Sequence, residues 1–249
     1  MIIDAHNHLG EVPALGWRQT PEELLAQMDA NGVARAVVCP QTYPQSTVLA
    51  VNQEDNNYIG RLTQEHPSRF IGFGVSTPYS GSDKGAGEAE RALTKLGLRG
   101  IKLHQRYHAY HLRPDMVGAI LEVCGALGAP VLIHSGDVRS HPSLVGCLAL
   151  AFPKVTVIMG HMGQNYYADA IDAARLAPNL ILETSGAPAP DCVAAAVKAI
   201  GSERVVLGSD TPFYPLATGL RLIREAGLSA ADEGNVLGHS LARILGLAG

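Results

Sequence analysis

Cysteine is sparse in this chain of 249 residues, and its four copies, Cys39, Cys124, Cys147 and Cys192, are scattered with no CxxC pair. That spacing supplies neither a disulfide framework nor a thiolate metal cluster, and the thiols read as reduced, buried groups of a cytoplasmic protein. Long apolar runs are missing too: a stretch such as 155–160 falls far short of the roughly 20 residues that span a bilayer. The first residues read as a strand rather than a signal peptide. Charge of either sign is modest, 19 Lys and Arg against 23 Asp and Glu, and the net −4 argues against nucleic-acid and anionic-membrane partners. Low-complexity tracts and repeat motifs are absent, which disfavours a solenoid. A small-molecule substrate is the expected partner, and the sequence is compatible with a homo-oligomer.

What is present is a regular rhythm. Short apolar, β-branched segments at 2–8, 34–39, 70–75, 100–104, 131–134, 156–161, 180–184 and 205–210 alternate with longer amphipathic ones. Strand ends at 104, 134 and 161 are 30 and 27 residues apart, the spacing of strand, loop, helix and return. The first helix is signalled by Thr20-Pro21-Glu22-Glu23, an N-cap with proline in the first turn and an acid at the third position, and it closes at Asn31-Gly32. Further helices are predicted at 52–65, 87–96, 114–127, 143–151, 168–176, 191–200 and 218–226, with a last turn at 240–245 covering the barrel end. The Gly- and Ser-containing stretch 79–87 reads as a flexible loop. Eight strand–helix units predict an α/β fold, a (β/α)8 TIM barrel forming a single domain over residues 1–249.

Histidines fall where such a barrel performs its chemistry, at the C-terminal ends of its strands. In Asp4-Ala5-His6-Asn7-His8 the two imidazoles share a strand face, about 6 to 7 Å apart along the backbone, a pincer for a metal ion. Alone, His-x-His is no more than a half-exposed strand end. The remaining strand ends carry Lys102 and His104, His134, His161, Glu183 with Thr184, and Asp210. All converge on one mouth. Lys102 and His104 share a face, with Ile101 and Leu103 on the other. His66, His141 and His239 read as loop or structural residues.

His6-Asn7-His8, Gly100-Ile101-Lys102-Leu103-His104, Ile133-His134, Gly160-His161 and Gly208-Ser209-Asp210 together resemble the amidohydrolase superfamily. More narrowly, the chain is similar to its amidohydrolase-related branch of compact metal-dependent barrels, which holds hydrolases alongside decarboxylases and hydratases. The stretch 56–78, with its His66-Pro67-Ser68-Arg69-Phe70-Ile71-Gly72 core, and the closing Ala242-Arg243-Ile244-Leu245-Gly246 share that look. The resemblance implies that His6, His8, His134 and Asp210 hold one divalent metal, usually zinc. It also implies that His161 either binds a second metal or orients substrate and water. A bound divalent ion lowers the pKa of water to about 7, and Asp210 is suited to accept that water's proton as general base. In binuclear members a strand-four lysine is carboxylated and bridges two metals. Lys102 is open to that role or to an ammonium facing a substrate carboxylate; the ammonium is preferred because the short chain is closer to the mononuclear branch.

His104 and Arg106 complete the expected substrate contacts, the guanidinium as a carboxylate clamp. The loop Gln105-Arg106-Tyr107-His108-Ala109-Tyr110-His111, together with Trp17-Arg18 and Asn165-Tyr166-Tyr167, lies where barrel loops set specificity. The expected activity is hydrolysis of a small amide, ester or lactone through a metal-activated water. The alternative is a metal-dependent lyase, decarboxylating or hydrating a small unsaturated or aromatic acid, for which Arg106 and an ammonium Lys102 both directed at the metal would speak. A metal-storage role fits poorly, since storage needs neither an open ligand position nor a nearby base.

Overall fold

The computed structural model describes residues 1–41 and 47–247. Its strands are β1 (Ile2–Val12), β2 (Trp17–Gln19), β3 (Val33–Pro40), β4 (Phe70–Val75), β5 (Gly100–Leu103), β6 (Val131–Ile133), β7 (Val157–Met159), β8 (Leu180–Glu183) and β9 (Val205–Val206). All but β2 run parallel, each beside its sequence neighbour. The sheet curls back until the segment after β9 meets β1. There Ala5 N donates to Leu207 O at 2.8 Å, Asp210 N to His6 O at 2.7 Å and His8 N to Thr211 O at 2.8 Å. The fold is an α/β TIM barrel, and its closing seam runs through the histidine pair itself.

Helices α1 (Pro21–Asn31), α2 (Leu49–Glu65), α3 (Ser82–Thr94), α4 (Pro114–Leu127), α5 (Pro142–Ala151), α6 (Tyr167–Leu176), α7 (Pro190–Ile200) and α8 (Leu216–Arg224) alternate with the strands, and short α9 (Ala230–Gly234) and α10 (Ser240–Ile244) follow. The capping signals act as expected in α1: Thr20 and Glu23 form a reciprocal capping box and Gly32 closes the helix with φ 69°. None of the helices among the described residues is long and apolar enough to cross a membrane.

Strands β7 and β9 end earlier than the expected 161 and 210, and two stretches differ more. The stretch 79–87 is not a loop, because a short turn at Pro78–Ser80 leads directly into α3. Gly85 there is a packing device, since a Cβ would come within 2.6 Å of Thr77 O. The second difference is β2, which forms because β1 runs past its histidines to Val12, turns at Gly16 and returns antiparallel with Val12 opposite Trp17.

Among the described residues, buried apolar side chains make two clusters. The outer one packs helices on the sheet and includes Ile101, Leu103, Val131 and Ile133. The inner one fills the lower barrel with Ile3, Val37, Phe73, Leu132, Ile158, Ile181 and Val206, and Leu241 and Leu245 join it from the C-terminal segment. Alternation puts the next inward positions, Lys102 and His104, His134 and Glu183, above that plug.

Candidate active site

Simple alternation does not explain His6. Ile3 and Ala5 already belong to the inner cluster, so the residue after Ala5 should face outward. The pairing of β1 with β3 runs Asp4 to Ala36 and then Asn7 to Val38, three steps on β1 against two on β3. This bulge shifts the phase and turns His6 and His8 inward. His161 and Asp210 are aimed by left-handed backbone, φ 65° and 61°, which non-glycine residues adopt at a cost that the surrounding structure must hold. Gly208 is required for space: a Cβ there would lie 1.9 Å from Glu183 Oε1.

Three donor atoms converge. His6 Nε2 and His8 Nε2 are 3.1 Å apart, and Asp210 Oδ1 lies 3.3 Å from the first and 3.2 Å from the second. The far side of each ring is committed. His6 Nδ1 sits 2.9 Å from Glu183 Oε2 and His8 Nδ1 2.8 Å from Pro40 O. Both partners are acceptors, so both Nδ1 atoms carry hydrogens, and the Nε2 lone pairs are left for a shared cation. Two lone pairs and a carboxylate oxygen at this separation repel unless a proton or a metal lies among them. The set therefore fits a divalent ion, with imidazole and carboxylate ligands backed by a hydrogen-bonded outer shell.

The metal-free electrostatics point the same way. For His8, burial opposes charge, but Cys39 and the Asp210 carboxylate outweigh it and raise the pKa to about 10. Burial would also raise Asp210, yet His6, the His8 hydrogen bond and His161 hold it well below the usual carboxylate range. Burial, aided by Lys102, keeps His6 neutral, and Lys102 Nζ approaches its Nε2 at 2.8 Å. Cations thus crowd the donors in the absence of metal.

His134 is brought into the same pocket, but its ring nitrogens face elsewhere. Nδ1 is 2.9 Å from His161 Nε2, and Nε2 is 3.4 Å from Asp137 Oδ2. His161 spans between the two halves of the site, with Nδ1 2.9 Å from Ser185 Oγ and 3.9 Å from Asp210 Oδ2. Lys102 is fully buried, its pKa lowered by desolvation against the pull of Cys39, Asp210 and Glu183. His104 is kept neutral mainly by burial and stacks between Tyr107 and His134, centroids 4.3 Å and 4.2 Å away. Arg106 stands exposed at the rim, 3.9 Å from Asp137. His8, Lys102, His104, Arg106, His134, His161 and Asp210 all line one cavity of about 160 Å³.

Sequence reasoning underrated several groups. Glu183 ties the site together, accepting from His161 N at 3.0 Å and Ser185 Oγ at 2.8 Å as well as from His6. Burial raises its pKa, opposed chiefly by His161. Its inward position on β8 was the available signal. Cys39, to which no chemistry was assigned, lies 3.4 Å from His8 Nδ1. The close sets His6–His8–Cys39 and His6–His161–Glu183 also have metal-ligand character. Phe213 and Tyr214, which line the cavity, carried no motif. Of the histidines read as structural, His141 caps α5 by accepting from Ser143 N.

A family model described as Amidohydrolase matches residues 3–246. The chain belongs to the amidohydrolase family. Over 141 residues it is 29% identical to the 2-amino-3-carboxymuconate-6-semialdehyde decarboxylase of Dictyostelium discoideum, a match covering 47% of this chain and 39% of that relative. The match thus spans well under half of the relative's own length. Among solved structures, 5-carboxyvanillate decarboxylase of Sphingomonas paucimobilis superposes with a TM-score of 0.81 at 18% identity, covering 99% of both chains. The 5-carboxyvanillate decarboxylase of Novosphingobium aromaticivorans, complexed with manganese and 4-hydroxy-3-methoxy-5-nitrobenzoic acid, superposes with a TM-score of 0.80 at 15% identity, covering 99% and 96%. At these identities the superpositions establish the shared fold.

Proposed function

We propose that this amidohydrolase-family protein is a divalent-metal-dependent decarboxylase of a small unsaturated or aromatic carboxylic acid. The observation that carries the reading is Lys102 Nζ, 2.8 Å from His6 Nε2 at the candidate metal site, with Arg106 at the rim of the same cavity. Two basic side chains beside a cation site select an anion, which a neutral amide, ester or lactone does not require. The decarboxylases among the relatives support the same choice, so the hydrolytic expectation gives way to its alternative.

His6, His8 and Asp210 would hold the ion, zinc or manganese, with His134 and His161 beside it. When bound, the metal supplies Lewis acidity at the substrate's oxygen atoms. Lys102 and Arg106 hold the carboxylates. The bond from carbon to carboxylate breaks, its electron pair stays on the carbon, carbon dioxide leaves and a proton takes its place. Asp210 rests ionised, so it can deliver that proton only after accepting one, for instance from a substrate hydroxyl; His161 lies within reach of its other oxygen.

The test is to load the protein with zinc or manganese and supply hydroxybenzoates, unsaturated dicarboxylates, lactones and esters, following evolved carbon dioxide and ring opening separately. Metal-dependent carbon dioxide release from an acid is expected. Hydrolysis of a neutral lactone or ester with no carbon dioxide from any acid would overturn the proposal.

A further inference from the structure

Two columns of rings rise from the metal-site floor. One is His134, His104 and Tyr107, with the two stacked contacts described above. The other is His8 and Phe213, edge to face at 5.7 Å. Trp17 touches the outer member of each. Its indole meets Phe213 edge to face at 4.8 Å and 87°, and Tyr107 at 5.6 Å and 57°. It can do so only because the β2 return places it there, its backbone held by pairing with Val12. Tyr107 and Phe213 lie on separate connecting segments, where side chains are held less firmly than on strands.

We propose that Trp17 fixes the spacing of the two columns and so makes the pocket selective for flat acids. This rests on the decarboxylase reading of the site to the extent that the ligand is a small carboxylate. A planar ring gains contact with aromatic faces only when their separation is preset; a puckered ring of the same charge does not. The cavity, about 160 Å³, suits one small ring. Trp17 does not line it, so it is a positioning residue that acts through Tyr107 and Phe213.

Trp17 is the chain's one tryptophan, so its emission reports this collar directly. With metal-loaded protein, 2-hydroxy-5-nitrobenzoate is expected to quench that emission saturably. By calorimetry, Trp17→Ala is expected to weaken this flat acid about fivefold, roughly the worth of one aromatic contact, with Trp17→Phe restoring most of the loss. Cyclohexanecarboxylate should bind wild type and Trp17→Ala alike, within about twofold, because it gains little from preset ring faces. Should Trp17→Ala fail to fold, Trp17→Leu keeps apolar bulk and carries the same comparison. Absent or non-saturating quenching, or equal weakening of the flat and puckered acids, would overturn the proposal. Binding as expected without carbon dioxide release would overturn only the decarboxylase reading, and release with unchanged flat-acid selectivity in the variants only the role of Trp17.

Discussion

Leu132 on β6 and His134, one residue past its end, are two residues apart, and so are Ile181 and Glu183 on β8. The first of each pair is in the apolar plug of the lower barrel; the second belongs to the polar layer above it. The strands are shared and the chemistry is opposite. Below, side chains fill space and gain from burial. Above, Lys102, His6, Glu183 and Asp210 lie buried at a desolvation cost that only specific partners offset. The lower layer thus holds the barrel together, and the upper layer is tolerated within it.

If that division is correct, substitutions in the upper layer should change rate with little effect on stability, and those below should do the reverse. The largest kinetic effect is expected at Asp210. Asp210→Asn keeps an oxygen near His6 and His8 but cannot relay a proton, and should lower kcat on the order of 10²- to 10⁴-fold with metal retained. Steady-state kinetics beside elemental analysis checks this, and a wild-type rate with metal bound would reduce Asp210 to a ligand. Phe73 is the counterpart below, fully buried in the plug. Phe73→Ala should cost about 3 to 5 kcal/mol of unfolding free energy, with kcat of the folded fraction little changed. A matching collapse of kcat would show that the two layers are coupled.

Glu183→Gln should have a smaller effect. It keeps the shape but removes the charge that backs His6, and it places an amide where His161 N, Ser185 N and Ser185 Oγ all donate. Metal affinity should fall about 10- to 100-fold, measured by chelator competition, as for other groups that orient a ligand from behind. Unchanged affinity would mean that the ring is held by packing alone.

These contrasts also show what was legible in the sequence. Lys102 and His104 against Ile101 and Leu103 followed from strand alternation, because backbone geometry fixes it without tertiary information. The bulge in β1 was not legible. It depends on how β1 registers against β3, a non-local pairing, and without it alternation from Ile3 and Ala5 would have turned His6 outward. Glycine misled once, at Gly85, where a residue read as flexibility serves a close approach. The aromatic collar was hidden because Trp17, Tyr107 and Phe213 are far apart in the chain and obey no shared period.

His108 contrasts with the partnered histidines of the candidate metal site. It is buried on the loop after β5, and neither ring nitrogen has a hydrogen-bond partner among the described residues. Burial lowers its pKa from 6.5 to about 4. The unfolded chain therefore binds a proton at His108 between these two values while the folded chain does not. Its contribution to stability is fully present above about pH 6.5 and is lost as pH falls toward 4. At pH 5.5 the loss relative to pH 7 should be about 1 kcal/mol. His108→Leu removes both the titration and the unmet polar atoms. Stability at pH 7 should be equal or higher, because an apolar group of similar size leaves no unsatisfied donor, and the decline from pH 7 to 5.5 should be smaller than that of wild type by about 1 kcal/mol. Denaturant unfolding of both proteins at the two pH values measures this difference. An identical decline would mean that His108 is protonated in the folded protein through a partner reached on acidification, and the upper layer would then have no unpartnered histidine.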